Sequence, residues 1–147
     1  MQIRNAAKAI IIEEGKVLLI KNKGNGIYYT FPGGGQEHNE SLEEALKREC
    51  LEEIGAEVEV MDLLYITEYM ADRHQESIHE TGFHQMDLFF SCVLVSGFKQ
   101  AVEMDDTQVG FEWIDLNQIN EITLYPLAIR DQMVSRDEDK LYLGVVK

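Results

Sequence analysis

The chain has 147 residues, 45% of them hydrophobic, and carries 27 acidic against 13 basic side chains for a net charge of −14. That length and apolar fraction suit one domain with a real core, read as a single unit over residues 1–147. The acidic surplus argues against a nucleic-acid backbone or an anionic membrane as partner, because both select clustered Lys and Arg.

Lys8 to Asn22 reads as two strands around a turn: Ala9-Ile10-Ile11-Ile12, then Glu13-Glu14-Gly15-Lys16, then Val17-Leu18-Leu19-Ile20. Lys21 to Gly26 is polar with two glycines and reads as a loop. Tyr28 to Phe31 is a short aromatic strand running into the Pro32-Gly33-Gly34-Gly35 loop. Ser41 opens a helix over Leu42 to Ile54. Ser41 and Glu44 have the spacing of a capping box, and Gly55 is placed to stop the helix in the left-handed conformation.

Glu57 to Tyr69 alternates in part and reads as strand, Ala71 to His84 as a polar excursion, and Met86 to Val95 as a buried strand. Gly97 to Asp106 is a loop, Val109 to Ile114 a strand, and Asp115-Leu116-Asn117 a turn or short helix. Tyr125 to Ser135 is a helix with Pro126 in its first turn, and Leu141 to Val146 a last strand. Many strands with one early and one late helix predict an α+β fold, a mixed sheet with helices on its faces.

The cysteines, Cys50 and Cys92, form no CxxC, which excludes a disulfide framework or a zinc finger and suits a reducing cytoplasm. The N-terminus has no signal-peptide h-region, and no run approaches the roughly 20 apolar residues of a membrane helix.

The first helix carries more acid than stability would ask for. With Leu42 at 0° and about 100° per residue, Leu46, Cys50 and Ile54 fall near roughly 40°, 80° and 120°. Glu49 and Glu53 fall near roughly 340° and 20°, inside or beside that apolar stripe, and Glu52 near roughly 280°. Glu49, Glu52 and Glu53 are spaced i, i+3, i+4, so their side chains converge. Like charges so placed destabilise a helix, and half-buried ones cost more unless a cation neutralises them. Carboxylate oxygens suit Mg²⁺ or Mn²⁺, and no Cys or His joins the cluster to favour zinc. The plainer reading is a solvated acidic face paired with Lys47 and Arg48.

Gly34 to Ala56 resembles the Nudix box, a glycine, then a glutamate, then the run R-E-U-x-E-E-x-G-U, where U is aliphatic. Gly34, Glu40, Arg48, Glu49, Glu52, Glu53 and Gly55 stand at its fixed positions, with Cys50 and Ala56 at the two U positions. Asn39 replaces a frequent second glycine.

The resemblance implies a Nudix-type α/β/α sandwich and divalent-metal-dependent hydrolysis of a nucleoside diphosphate linked to another group. It implies Glu49, Glu52 and Glu53 as metal ligands, with the Gly34 carbonyl as a further one, and Glu49 or Glu53 as the group that orients or deprotonates water. Arg48 and Glu40 become the pair fixing the loop against the helix. Members often add a carboxylate a few residues before the Trp-bearing strand. Here Gln108 stands five residues before Trp113, leaving Asp105, Asp106 and Glu112 as the nearby acids.

Arg4, Lys21 and Lys23 are the cations near the glycine loop, with Arg4 a candidate for the substrate phosphates. Phe31, Tyr28, Tyr29 and Trp113 are aromatics that could stack a base, Phe31 foremost. His74, His79 and His84 recur every five residues, which no regular structure puts on one side, and are expected in a polar loop beside the pocket. Cys50 and Cys92 are expected as packing groups, against the isomerase branch of the fold that needs a reactive thiol.

The expected protein is a cytoplasmic pyrophosphohydrolase of a small nucleotide, with a homodimer open. Its alternatives are a catalytically silent Nudix-like nucleotide sensor and a purely structural acidic domain. The chain has only Pro32 and Pro126, so it lacks the proline that the ADP-ribose subgroup tends to carry past the box. That absence argues against ADP-ribose and leaves a nucleoside triphosphate open.

Overall fold

A computed structural model describes residues 2–73, 81–95, 108–135 and 140–146. In chain order the strands are β1 (Arg4–Glu13), β2 (Lys16–Lys23), β3 (Ile27–Thr30), β4 (Gly33–Gly35), β5 (Val58–Met70), β6 (His84–Leu94), β7 (Gln108–Asp115) and β8 (Tyr142–Val145). Helix α1 (Leu42–Ile54) follows β4, and α2 (Leu127–Ser135) precedes β8. Short 3₁₀ turns cover Ala71–Arg73 and Leu116–Glu121.

The strands form one mixed sheet with the central order β3-β2-β1-β6-β5-β8, while β4 pairs with β1 and β7 with β2. Strand β1 is the hinge of the arrangement. One edge runs parallel to β6 from Arg4 to Ile11. The other edge is shared: Ala6 to Lys8 pair antiparallel with β4, and Ile12 and Glu13 pair with β2. The sheet therefore has a seam beside Lys8, where β1 passes from one neighbour to the next.

Alternation along β1 divides its side chains between two cores. The odd residues Ala7, Ala9 and Ile11 pack with Leu18, Ile20, Leu46, Cys50 and Ile54 under α1. Ile10 packs on the opposite face with Val17, Leu19, Phe89, Ile119 and Ile129 of α2. The result is the mixed sheet with a helix on each face that the element order predicts, and the α/β/α sandwich that the resemblance implies.

Helix α1 begins and ends where its sequence predicts. Ser41 Oγ accepts from the Glu44 amide at 3.1 Å, and the Glu44 carboxylate accepts from the Ser41 amide at 3.0 Å. Gly55 closes the helix at φ 62, a left-handed conformation that costs glycine little. Asn39, at φ 67, adopts the conformation that a glycine would take there, and Asn tolerates it.

Several boundaries differ from expectation. Gly33–Gly35, expected as loop, is a strand, because its backbone pairs with Ala6 to Lys8. Strand β2 runs on to Lys23, since β3 and β7 supply partners to residues that look like loop on their own. Pro126 lies just before α2 rather than inside it. His84 does not sit in a polar loop. It opens β6, with Nε2 2.9 Å from Glu68 Oε2. His74, His79 and the whole Gly97 to Asp106 segment, with Asp105 and Asp106, lie outside the described residues.

Candidate functional site

Helix α1 brings Glu49, Glu52 and Glu53 up to the glycine strand β4. The angular reading of the helix holds for Glu53, which is only 6% exposed. Its Oε1 accepts from the Gly33 amide at 2.7 Å, and its Oε2 from Gln108 Nε2 at 2.6 Å. Two donors are less than a buried carboxylate needs. Desolvation pushes its pKa up to about 7, against the pull of Lys8 and of those two hydrogen bonds.

Glu49 lies over Gly34. A Cβ placed on that glycine would come within 2.5–2.7 Å of the Glu49 carboxylate, so residue 34 must lack a side chain for Glu49 to stand there. Burial raises the Glu49 pKa, while Arg48 opposes the shift. Glu52 is at the rim of the group.

Arg48 is the clamp the sequence suggests. Its Nε and Nη2 donate to the two Glu40 oxygens at 2.8 and 3.0 Å, and Nη2 also donates to the Gly35 carbonyl at 3.0 Å. This fork ties the loop to α1 and holds the Glu40 carboxyl down at about 2. The same guanidinium reaches Glu49 Oε1 at 3.0 Å and Glu52 at 3.5 Å.

That contact corrects the expected convergence. Glu49 and Glu52 converge on Arg48, and Glu53 turns toward Gly33 and Gln108. Among the described residues, no three His, Cys, Asp or Glu side chains form a ready-made metal-ligand set. The donor chemistry still fits a hard divalent cation: three carboxylates on one side of a helix, with one buried and short of donors. A cation beside Glu53 would supply what Gly33 and Gln108 do not.

Other candidates separate. Gln108, at the position expected of an acid, is brought to the site as an amide donor to Glu53. Glu112 is not. It faces the α2 side of the sheet, 3.4 Å from Lys21 Nζ and 3.3 Å from the Tyr29 hydroxyl. Phe31 is 2% exposed and packs edge to face with Phe89, ring centres 5.4 Å apart, so its ring is core and not a stacking surface. Tyr29 is likewise buried. Arg4 is exposed and lies against Gly35, where its guanidinium fills the space a Cβ would need. Cys50 and Cys92 are buried, and burial pushes the Cys92 thiol up to about 12. Neither thiol suits a nucleophile.

Lys8 was not legible as a site residue. Its charge favours both the Glu49 and Glu53 carboxylates, and it pairs with Gly33 at the seam of the sheet. The signal in the sequence is a lysine set between the apolar residues Ala6-Ala7 and Ala9-Ile10 of β1.

The sequence profile of the NUDIX domain family matches residues 2–135. The chain belongs to the NUDIX family. Among its relatives, Nudix hydrolase 4 of Arabidopsis thaliana is 33% identical over 108 residues, 73% of this chain and 47% of that protein. This NUDIX chain thus spans about half the length of that relative. An ADP-ribose pyrophosphatase of Methanocaldococcus jannaschii is 31% identical over 87% of the chain and 72% of its own length. A solved NUDIX hydrolase from Nitrosomonas europaea superposes with a TM-score of 0.72 at 23% identity, covering 95% of this chain and 93% of that one. That likeness bears on the fold, and it agrees with the sandwich described above.

Proposed function

We propose that this NUDIX protein is a divalent-metal-dependent hydrolase of the diphosphate in a small nucleotide, with a nucleoside triphosphate as the first substrate to test. The observation that carries the reading is the buried Glu53 carboxylate, short of donors and set between the glycine strand and α1. Glu49, Glu52 and Glu53 would hold Mg²⁺ or Mn²⁺, with the Gly34 carbonyl beside them. The ion, when bound, supplies charge neutralisation on the diphosphate and a lowered water pKa.

The chain's own residues do the rest. Without a cation Glu53 is raised to about 7, and a bound cation would favour its charged form, the form that can accept a proton as a general base. Gly33 and Gln108 fix its two oxygens. Arg48 and Glu40 keep the loop and helix in register, and Arg4 and Lys8 offer positive charge to phosphate. The proposal includes a single working domain over residues 1–147 in a reducing cytoplasm, which the two buried free thiols favour. No described helix is long and apolar enough to cross a membrane.

A second reading, a catalytically silent nucleotide sensor, draws on Gln108 standing as an amide where an acid is expected. One experiment separates the two. A panel of nucleotides is incubated with Mg²⁺ or Mn²⁺, and phosphate and pyrophosphate are measured separately. Hydrolysis that falls at least about 100-fold in Glu53→Gln supports the enzyme. Nucleotide binding without turnover supports the sensor, and an unchanged rate in Glu53→Gln removes Glu53 from the mechanism.

A further inference from the structure

Gly35 has no backbone reason to be glycine. Gly33 needs its positive φ and Gly34 leaves room for the Glu49 carboxylate, but Gly35 lies at the end of β4 without a positive φ. What excludes a side chain there is Arg4. The three atoms nearest a Cβ on Gly35 are Nη2, Nε and Cζ of the Arg4 guanidinium, with Cζ 2.7 Å away. The guanidinium is therefore seated on the backbone of β4, in space that only a glycine leaves open.

The seat comes without a partner. Arg4 is exposed, and among the described residues it forms no ion pair and no side-chain hydrogen bond, in a chain with 27 acidic residues. It lines an open pocket of about 600 Å³ bounded by residues 2–5 and 36–40. The acids of that pocket are drawn elsewhere: Glu40 is held by the Arg48 fork, and Glu37 stands 4.0 Å from the same guanidinium. An arginine that serves only solubility keeps its end free in water and needs no glycine beneath it. A guanidinium that is held in place, unpaired and open to solvent is preorganised for an anion, and its planar fork matches phosphate.

Its position relative to the carboxylates narrows the anion. Successive strand residues face opposite sides, so Gly34 and Gly35 set Glu49 and Arg4 on the two sides of β4. One residue's rise plus the reach to each side puts the two groups roughly 10 Å apart. Arg4 is thus too far away to share the phosphates that a cation at Glu49 and Glu53 would hold. Lys8 shares the Arg4 side of β1, and its charge acts on both Glu49 and Glu53. Positive charge therefore continues from the carboxylates, past Lys8, to Arg4.

We propose that Arg4, seated on Gly35, is a specificity-determining residue that binds a phosphate beyond the diphosphate held at the carboxylates, and that it selects nucleotides with three or more consecutive phosphates. This inference rests on the nucleotide-hydrolase reading above and narrows its substrate class.

Methylene-bridged analogues of adenosine diphosphate and triphosphate test this subsite without turnover. Calorimetric titration with Mg²⁺ measures how much more tightly the triphosphate analogue binds than the diphosphate one. Wild type is expected to favour the triphosphate by at least about tenfold, the worth of a charge-assisted contact to the added phosphate. In Arg4→Ala the preference should fall to about threefold or less. Gly35→Ala keeps the charge and removes the seat. It should lose the preference to the same extent, yet melt at or above the wild-type temperature. Only the end of a flexible side chain has to move, and the added methyl restricts the unfolded chain. Lys16→Ala removes one exposed charge at the start of β2 and should keep the wild-type preference.

A wild-type preference of about threefold or less overturns the inference. So does a full preference in Arg4→Ala or Gly35→Ala, or an equal loss in Lys16→Ala. Turnover of the nucleotide panel without an Arg4-dependent preference removes the subsite and leaves the hydrolase. An Arg4-dependent preference without turnover removes the hydrolase and leaves the subsite.

Discussion

At the scale of single residues, the glycine strand sets what the carboxylates can do. Gly33 and Gly34 are neighbours with different constraints. A Cβ on Gly33 would overlap the Ala7 carbonyl and come within 2.8 Å of Lys8 Cα, and its φ of +137 disfavours any side chain. Backbone cannot give way cheaply, so Gly33→Ala should cost about 2–4 kcal/mol in urea denaturation. The three atoms nearest a Cβ on Gly34 all belong to the Glu49 carboxylate, the end of a flexible side chain. Gly34→Ala should therefore change stability by less than about 1 kcal/mol yet cut hydrolysis at least about tenfold, because Glu49 must move. The placement of Glu49 and Glu53 on the packing side of α1 was legible in the angular count. The contacts of Arg48 with Glu49 and Glu52 were legible only as spacing. Nothing in the sequence shows that Lys8 stands beside them, since that depends on which strand lies next to β1.

At the scale of elements, α1 and β7 make opposite cases. Helix α1 was readable to the residue, because its cap, its stop and its apolar stripe are all local. Strand β7 was readable as a strand, but its use was not. Its pairing with β2 shifts by one residue between Lys21 and Asn22, where Gly110 and Gln108 are successive partners. The extra residue turns Gln108 toward Glu53, on the same face as Phe111 and Trp113, while Glu112 stays on the other. Without the bulge, Gln108 would share the face of Glu112. Gly110 sits in the bulge at φ +146, with nothing within 4 Å of its absent Cβ. Gly110→Ala should thus cost roughly 1–2 kcal/mol through backbone strain alone, measurable by chemical denaturation. The same variant should lower hydrolysis by moving Gln108 off Glu53. A substitution that costs stability but leaves turnover untouched would remove Gln108 from the site.

At the scale of the whole molecule, the acid surplus is coupled to stability. Glu53 is raised from 4.5 to about 7 in the fold. Its favourable contribution is complete below about 4.5 and is lost as pH rises toward about 7, because the unfolded chain gives up that proton first. Glu40 works the other way. Lowered from 4.5 to about 2, it contributes stability above its unfolded value that is lost as pH falls toward about 2. In EDTA, melting temperature should therefore decline between about pH 4.5 and 7, and the decline should flatten in Glu53→Gln. Adding Mg²⁺ at pH 7.5 should raise the melting temperature of wild type, by preferential binding to the folded state, and not that of the variant. The sequence by itself determined the fold class, α1 and the acidic segment from Gly34 to Ala56, because helix caps, helical periodicity and residue spacing are local properties. Only the tertiary structure decided that Gln108 and Lys8 join that segment, that Glu112 and Phe31 do not, and that Asp87 and Thr67 are buried neighbours across β6 and β5. Those facts depend on strand order, register and one bulge, which are set by contacts between residues far apart in the chain.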